Sequence, residues 1–411
     1  MHIGIVGSGV VGTQTAWHLR LRGHRVTIFD PDPGNGATRA AAGMLAPISE
    51  VQFGQQGLYP LMLAARREYP QLIAQLERVT DRPHGYLENG TLLVAADRAD
   101  LARAADHARV QAEYGMETRP VSASRLLDME PGLNPRLAGG FEASTDQQVD
   151  PRLLLEALRA ALVDDLDPTG FPHAGPSAAW IVDSVSRIDP VGDRAAGYDV
   201  TTGDTGHHRV DRVLVACGVN YGRIGGVLDR LPLDLRPVYG DILRLRLRGG
   251  QLAPGEKHVV NATIRATVLG RQVYLVPRAD GGLVIGASVR EDNLSGVNAG
   301  CVQELLEDAV TVVPGVRDME LVETMARARP GTPDDIPYVG PVPGAPGVVV
   351  STGYSRHGIL LAPLGARLGA DLLTGASLSD ADARLLETMD PSRFGAHTEM
   401  AQARLTGGIP A

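Results

Sequence analysis

The chain of 411 residues is 44% hydrophobic, enough to bury a full core in two domains or one large one. With 48 acidic against 39 basic residues, a net charge of −9 and no block of like charge, it offers nothing to a nucleic acid or an anionic membrane. Its single lysine, Lys257, lies in a turn-like stretch, and no Gly-Lys-Ser/Thr step exists, so P-loop nucleotide chemistry is excluded and a Schiff-base amine is disfavoured.

His2-Ile3-Gly4-Ile5-Val6 reads as a buried strand running directly into Gly7-Ser8-Gly9-Val10-Val11-Gly12. A helix is expected from Val10 to Arg22, ended by Gly23, and a second strand from Arg25 to Phe29 delivers Asp30. The glycines then serve a tight turn, an approach of backbone to a diphosphate, and close helix–strand packing. An anion would sit on the helix N-terminus, and Asp30 would accept ribose hydroxyls. A lone G-x-G-x-x-G can be a structural turn; strand, glycines, helix, strand and acid in order point to a dinucleotide. Next, Gly34 to Pro47 is a run of small residues that lets backbone approach a flat ring, with Thr38 and Arg39 as donors.

Residues 51–145 mix helical patterns with short strands; Tyr69, Leu72, Ile73 and Leu76 mark one helical face. Asp150-Pro151 caps an apolar helix from Leu153 to Val163, and strands are expected over Val182–Ile188 and Val210–Gly218. Cys217 there reads as a packed thiol. Further strands are expected over Asp241–Leu247, Gln272–Val276 and Leu283–Ala287, then a helix over Val302–Val312 and a strand through Met325. Val348–Gly353 is a buried strand leading to a helix from Gly358 to Leu373, and 391–411 reads as a tail. The two cysteines, Cys217 and Cys301, are too far apart in sequence for a zinc motif, and His207 and His208 lack metal spacing, so no metal is expected. Without a signal peptide or spanning segment in this reading, a cytoplasmic protein is expected.

Three stretches carry a family resemblance: the opening glycine motif, Ala40-Ala41-Ala42-Gly43-Met44-Leu45-Ala46-Pro47, and Arg329-Pro330-Gly331-Thr332-Pro333-Asp334. They resemble the D-amino-acid oxidase superfamily, and glycine oxidases of thiamine biosynthesis in particular. The resemblance implies an α/β Rossmann-type FAD-binding domain, discontinuous over 1–50, 146–225 and 325–390. A substrate domain of α+β type, with a mainly antiparallel sheet, would occupy 51–145 and 226–324. FAD would be held by Gly7, Gly9, Val10, Val11, Gly12, Asp30, Thr38, Arg39, Ala42, Gly43, Met44, Val185, Arg356, His357, Gly358, Ile359 and Leu360. Substrate would meet Arg329, Tyr274 and Arg356.

Strand periodicity puts Arg327 and Arg329 on one face; the resemblance selects Arg329 as the carboxylate clamp. No side-chain acid or base is implied, because the hydride passes to FAD. The activity implied is oxidative deamination of glycine, and of other small amines or D-amino acids, with O2 reduced to H2O2 and the imine feeding thiazole synthesis. Met325 to Gly340 lacks the cysteine to which sarcosine-oxidase relatives attach flavin, so FAD is expected to be non-covalent. Val284 stands where those relatives carry a lysine, and Val289 near the substrate. A sarcosine or D-amino-acid oxidase, a specialised biosynthetic amine oxidase, an NAD-linked dehydrogenase and a non-catalytic flavoprotein subunit remain rival readings, and a homo-oligomer is left open.

Overall fold

The computed structural model describes residues 1–192, 197–203, 206–250, 252 and 257–394. One sheet has six strands, ordered Tyr338–Val342, Ala345–Thr352, Arg212–Val215, His2–Val6, Arg25–Phe29 and Ala179–Ile181. Every neighbouring pair is parallel except the hairpin formed by the first two. A parallel sheet is covered on both faces, so Ile3, Ile5, Val26, Ile28, Val348 and Val350 are all buried. Helices Val10–Leu21 and Gly358–Thr374 pack against one another, and Pro151–Val163 packs on the first of them.

A second sheet has eight strands, ordered Glu320–Gly331, Arg236–Arg246, Leu283–Gly286, Arg271–Pro277, Thr263–Val268, Thr91–Ala95, Gly139–Ala143 and Arg119–Val121. It is antiparallel apart from the Thr263–Val268/Thr91–Ala95 pair. Alternation along these strands sorts core from site. Ile264, Ala266, Val268, Val273 and Leu275 enter the core beneath helix Ala299–Val312, so Arg265 and Tyr274 turn to the opposite face. A small cluster of Ala40, Ala42, Met44, Ile242, Val276 and Val284 ties the small-residue segment to this sheet.

The α/β fold with a parallel sheet and a mainly antiparallel one is as expected, but several elements differ in extent. The expected strand Val210–Gly218 is interrupted: Gly206–Val210 belongs to a four-stranded sheet, and Arg212–Val215 to the six-stranded one. The break lies at Asp211, whose backbone N–H donates to the His2 carbonyl at 2.8 Å while its carboxylate accepts from the His2 N–H at 2.7 Å. The strand expected over Val182–Ile188 begins only at Val185 and runs to Pro190 in the four-stranded sheet, while Ala179–Ile181, just before the expected start, is the edge strand of the six-stranded sheet. The strand expected to end at Met325 continues from Glu320 to Gly331, paired along its length with Arg236–Arg246. An expected domain boundary before residue 325 therefore falls inside a strand. Helix Asp380–Thr388, capped by Ser379, was not anticipated. Of the expected tail, residues beyond 394 lie outside the described ones. Among the described residues, no helix is long and apolar enough to cross a membrane.

Candidate active site

A cavity of roughly 1120 Å³ runs from Asp30 and Val185, past Gly7, Gly9 and the Ala40–Met44 segment, to Tyr274, Arg329 and Arg356. Its first third is built on glycine. Gly7 has φ +100°, and a Cβ there would lie 2.5 Å from the Ala216 carbonyl oxygen. A Cβ at Gly12 would lie 2.0 Å from the Gly7 oxygen, whereas one at Gly9 would meet only Thr38 Oγ1, at 3.3 Å. Two glycines thus permit packing, and the third keeps backbone bare at the cavity. The helix starts at Val10, so its first turn brings amides and the positive end of the dipole to the same place. Asp30 accepts from the Ser8 N–H at 2.7 Å and from its hydroxyl at 2.8 Å.

The middle of the cavity is the small-residue segment. Gly43 has φ +80° and a Cβ would lie 1.9 Å from the Val149 oxygen, so only glycine fits. Among the described residues, the Ala42 and Gly43 N–H groups have no protein acceptor, and both residues line the cavity. Bare amides beside a wall of alanines fit a flat polar ring, and the glycine cradle beyond fits a diphosphate. The residues therefore suit FAD.

At the far end, Tyr274 pairs with Arg265 on one side and Gly286 on the other. Gly286 leaves room for the phenol: a Cβ there would be 2.3 Å from the hydroxyl. Burial raises the phenol pKa, so Tyr274 stays a neutral hydrogen-bonding group. Both Arg327 and Arg329 line the cavity, and their contacts separate them. Arg327 donates to the Asn35 carbonyl at 2.9 Å and to Asn35 Oδ1 at 3.0 Å, which holds the loop before the small-residue segment. Arg329 donates to the Ser288 carbonyl at 3.2 Å. Its guanidinium lies over Gly240, where a Cβ would be 2.2 Å away.

Sequence reasoning missed the buried charge cluster beside it. Glu50 is 5% exposed, 2.9 Å from Arg265 Nη1, 3.8 Å from Arg356 Nη2 and 3.6 Å from His357 Nδ1. Burial alone would raise the Glu50 carboxyl, but His357, Arg265 and Arg356 bring it down to about 2. One available signal was the charge in the apolar strand Thr-Ile-Arg-Ala-Thr-Val. Its partner, Glu50, stands 215 positions away.

Of the sequence-predicted residues, Gly7, Gly9, Val10, Val11, Asp30, Thr38, Ala42, Gly43, Met44, Val185, Arg356, Gly358, Ile359 and Leu360 line the cavity with Arg329 and Tyr274. Gly12 lies behind it as a packing residue. Arg39 is outside: its side chain is exposed, because the chain turns its carbonyl toward Arg152 and Arg244. His357 is also outside the lining, and its N–H donates to the Tyr354 carbonyl at 3.0 Å. Burial holds its imidazole below the ordinary value, hence neutral. Val289 is 74% exposed at the rim, and Val284 is buried behind Ala42 and Met44.

A family profile described as FAD dependent oxidoreductase (DAO) matches residues 2–372, and the chain belongs to this family. Among its relatives, glycine oxidase of Geobacillus kaustophilus is 31% identical over 375 residues, covering 90% of this chain and 92% of that one. The bifunctional protein ThiO/ThiG of Synechocystis sp. is 29% identical over 95% of this chain, which spans only 53% of that protein. The chain is thus about half the length of its bifunctional relatives. The crystal structure of the Geobacillus kaustophilus glycine oxidase superposes with a TM-score of 0.81 at 30% identity, covering 95% of this chain and 98% of that one.

Proposed function

We propose that the protein oxidatively deaminates glycine and similar small amines, taking glycine, O2 and water to glyoxylate, ammonia and H2O2. The observation that carries this reading is Arg329: a guanidinium on the wall of the FAD-shaped cavity, beside a neutral, half-buried phenol, and donating to the Ser288 carbonyl. A planar fork so placed suits a carboxylate, which accepts two parallel charge-assisted hydrogen bonds. Tyr274 walls the other side of the substrate, and Arg356, tethered by Glu50, adds positive potential to the same end. When bound, FAD would supply the two-electron acceptor, with O2 as the terminal oxidant. The chain's part is to fix the carboxylate, exclude water and bind the form of glycine whose amine has already lost its proton to solvent, so no side-chain base is required.

Asp30 and the first turn after Gly9 would hold the adenosine and diphosphate portions, and Ala42 to Met44 with Gly358 to Leu360 would line the ring's end of the cavity. FAD is held non-covalently. Cys217 lines the cavity near Asp30, and burial pushes its thiol up to about 12, which makes it a poor nucleophile. The FAD domain comprises the six-stranded sheet with its helices; the substrate domain comprises the eight-stranded sheet, including Glu320–Gly331. Before it hydrolyses, the imine would be available to thiazole formation, the role that the resemblance to glycine oxidases of thiamine biosynthesis implies. A peroxide-coupled assay across glycine, sarcosine, D-alanine and D-proline tests the activity. Turnover of glycine is expected; zero rates on all four with FAD loaded would overturn it. Acid precipitation should release the yellow colour into the supernatant.

A further inference from the structure

The small-residue segment is held from behind by three arginines. The Arg39 carbonyl accepts from Arg152 Nε at 3.0 Å and from Arg244 Nη2 at 3.4 Å. The Ala42 carbonyl accepts from Arg278 Nη2 at 2.6 Å, the shortest of these contacts. Arg278 follows strand Arg271–Pro277 and is only 7% exposed. Its other amino nitrogen donates to Gln148 Oε1 at 3.0 Å and to the Val149 carbonyl at 3.3 Å, and its Nε lies 3.3 Å from Asp150 Oδ2. A buried guanidinium carries a large desolvation cost, and a neutral side chain could tie two strands together without it.

What the charge adds follows from the peptide it grips. The Ala42 carbonyl and the Gly43 N–H belong to one trans peptide, so they point in opposite directions. With the oxygen drawn to Arg278, the Gly43 N–H points the other way. Gly43 lines the cavity, and among the described residues this N–H has no protein acceptor. Its own carbonyl accepts from the Val149 N–H at 2.9 Å, and the absence of a Cβ is required by the Val149 oxygen, so the peptide cannot rotate freely. A charge-assisted hydrogen bond on a carbonyl strengthens the donor at the other end of the same peptide.

We propose that Arg278 is a positioning residue for the cofactor: through the Ala42–Gly43 peptide it aims and polarises the Gly43 N–H toward the flavin ring, which favours the ring's electron-rich form. This rests on the reading that FAD occupies the cavity. Arg278 itself touches neither cofactor nor substrate. It acts on the oxidation–reduction equilibrium, whereas a purely structural strut would alter only folding and affinity.

The test is the two-electron potential of the FAD-loaded protein, measured by dye equilibration beside its visible spectrum, melting temperature and FAD dissociation constant. Arg278→Met should shift the equilibrium toward the oxidised form by at least tenfold, equivalent to about 30 mV for a two-electron couple. Arg278→Gln, which keeps a donor but removes the charge, should shift it the same way, and Arg278→Lys should restore most of the wild-type value. Asp150→Asn removes the counter-ion while keeping a good helix cap, and should move the potential in the opposite direction. Loaded Arg278→Met or Arg278→Gln protein with the wild-type potential would overturn the proposal, whatever its melting temperature. If neither loads, an unchanged potential in Asp150→Asn overturns it instead. A wild-type chain that binds no FAD would fail the cavity reading itself, a separate outcome.

Discussion

Arg329 and Arg327 are two positions apart on one strand, yet their contacts assign them different work. Arg327 spends its guanidinium on Asn35, while Arg329 keeps most of its donors for the cavity. Losing two charge-assisted hydrogen bonds of about 1.5–3 kcal/mol each should raise KM for glycine by roughly a hundredfold or more in Arg329→Ala. Initial-rate kinetics check this, and an unchanged KM would remove the clamp. Glu50 supplies a pH prediction. Its folded pKa, about 2, lies below that of a free carboxyl, so its ionic contribution to stability is present above the unfolded value and lost as pH falls toward 2. Glu50→Gln should lower the melting temperature at pH 7 and flatten its fall through that acid window; parallel wild-type and variant curves would contradict this. At this scale the motif residues were legible because local spacing reveals them. Glu50 and Arg265 were not, since the charge in the apolar strand signals Arg265 alone and only the fold brings Glu50 to it.

Elements were legible where local signals end them. Asp150 accepts from Arg152 and Leu153 N–H groups, as a helix cap should, and the strands expected over Gln272–Val276 and Leu283–Ala287 pair as a hairpin that turns through Asp280-Gly281-Gly282. Lengths failed where the deciding partner is remote. The Glu320–Gly331 strand runs on past Met325 because Arg236–Arg246 pairs with both its halves, and the run Val210–Gly218 divides because successive residues join different sheets. The glycine loop is the element most exposed to a single change. In Gly12→Ala the new Cβ would strike the Gly7 oxygen, so the helix must retreat from the strand. Overpacking of this kind costs about 1–3 kcal/mol, and it should lower both the melting temperature and FAD affinity. Denaturant titration and flavin fluorescence check the pair; wild-type affinity in the variant would show that the close approach is unnecessary.

At the scale of the whole molecule, two sheets assembled from discontinuous segments wall one cavity. Residues 2–29, 212–215 and 338–352 place the glycine cradle, and the eight-stranded sheet presents Arg265, Tyr274 and Arg329. That two-part plan was legible through family resemblance, because the motifs at both ends of the chain belong to one fold. The charge balance at the substrate end was not, since it depends on side chains from four separate strands and loops meeting in the interior. In a chain with one lysine, arginines supply the positive potential at this end of the cavity, and Glu50 limits it.

Anaerobic mixing of the FAD-loaded protein with glycine, followed by admission of oxygen, tests the central claim most directly. The account predicts that the flavin absorbance bleaches on mixing and recovers with oxygen as H2O2 appears. A fully loaded protein whose spectrum is unchanged by glycine, sarcosine, D-alanine or D-proline would contradict it.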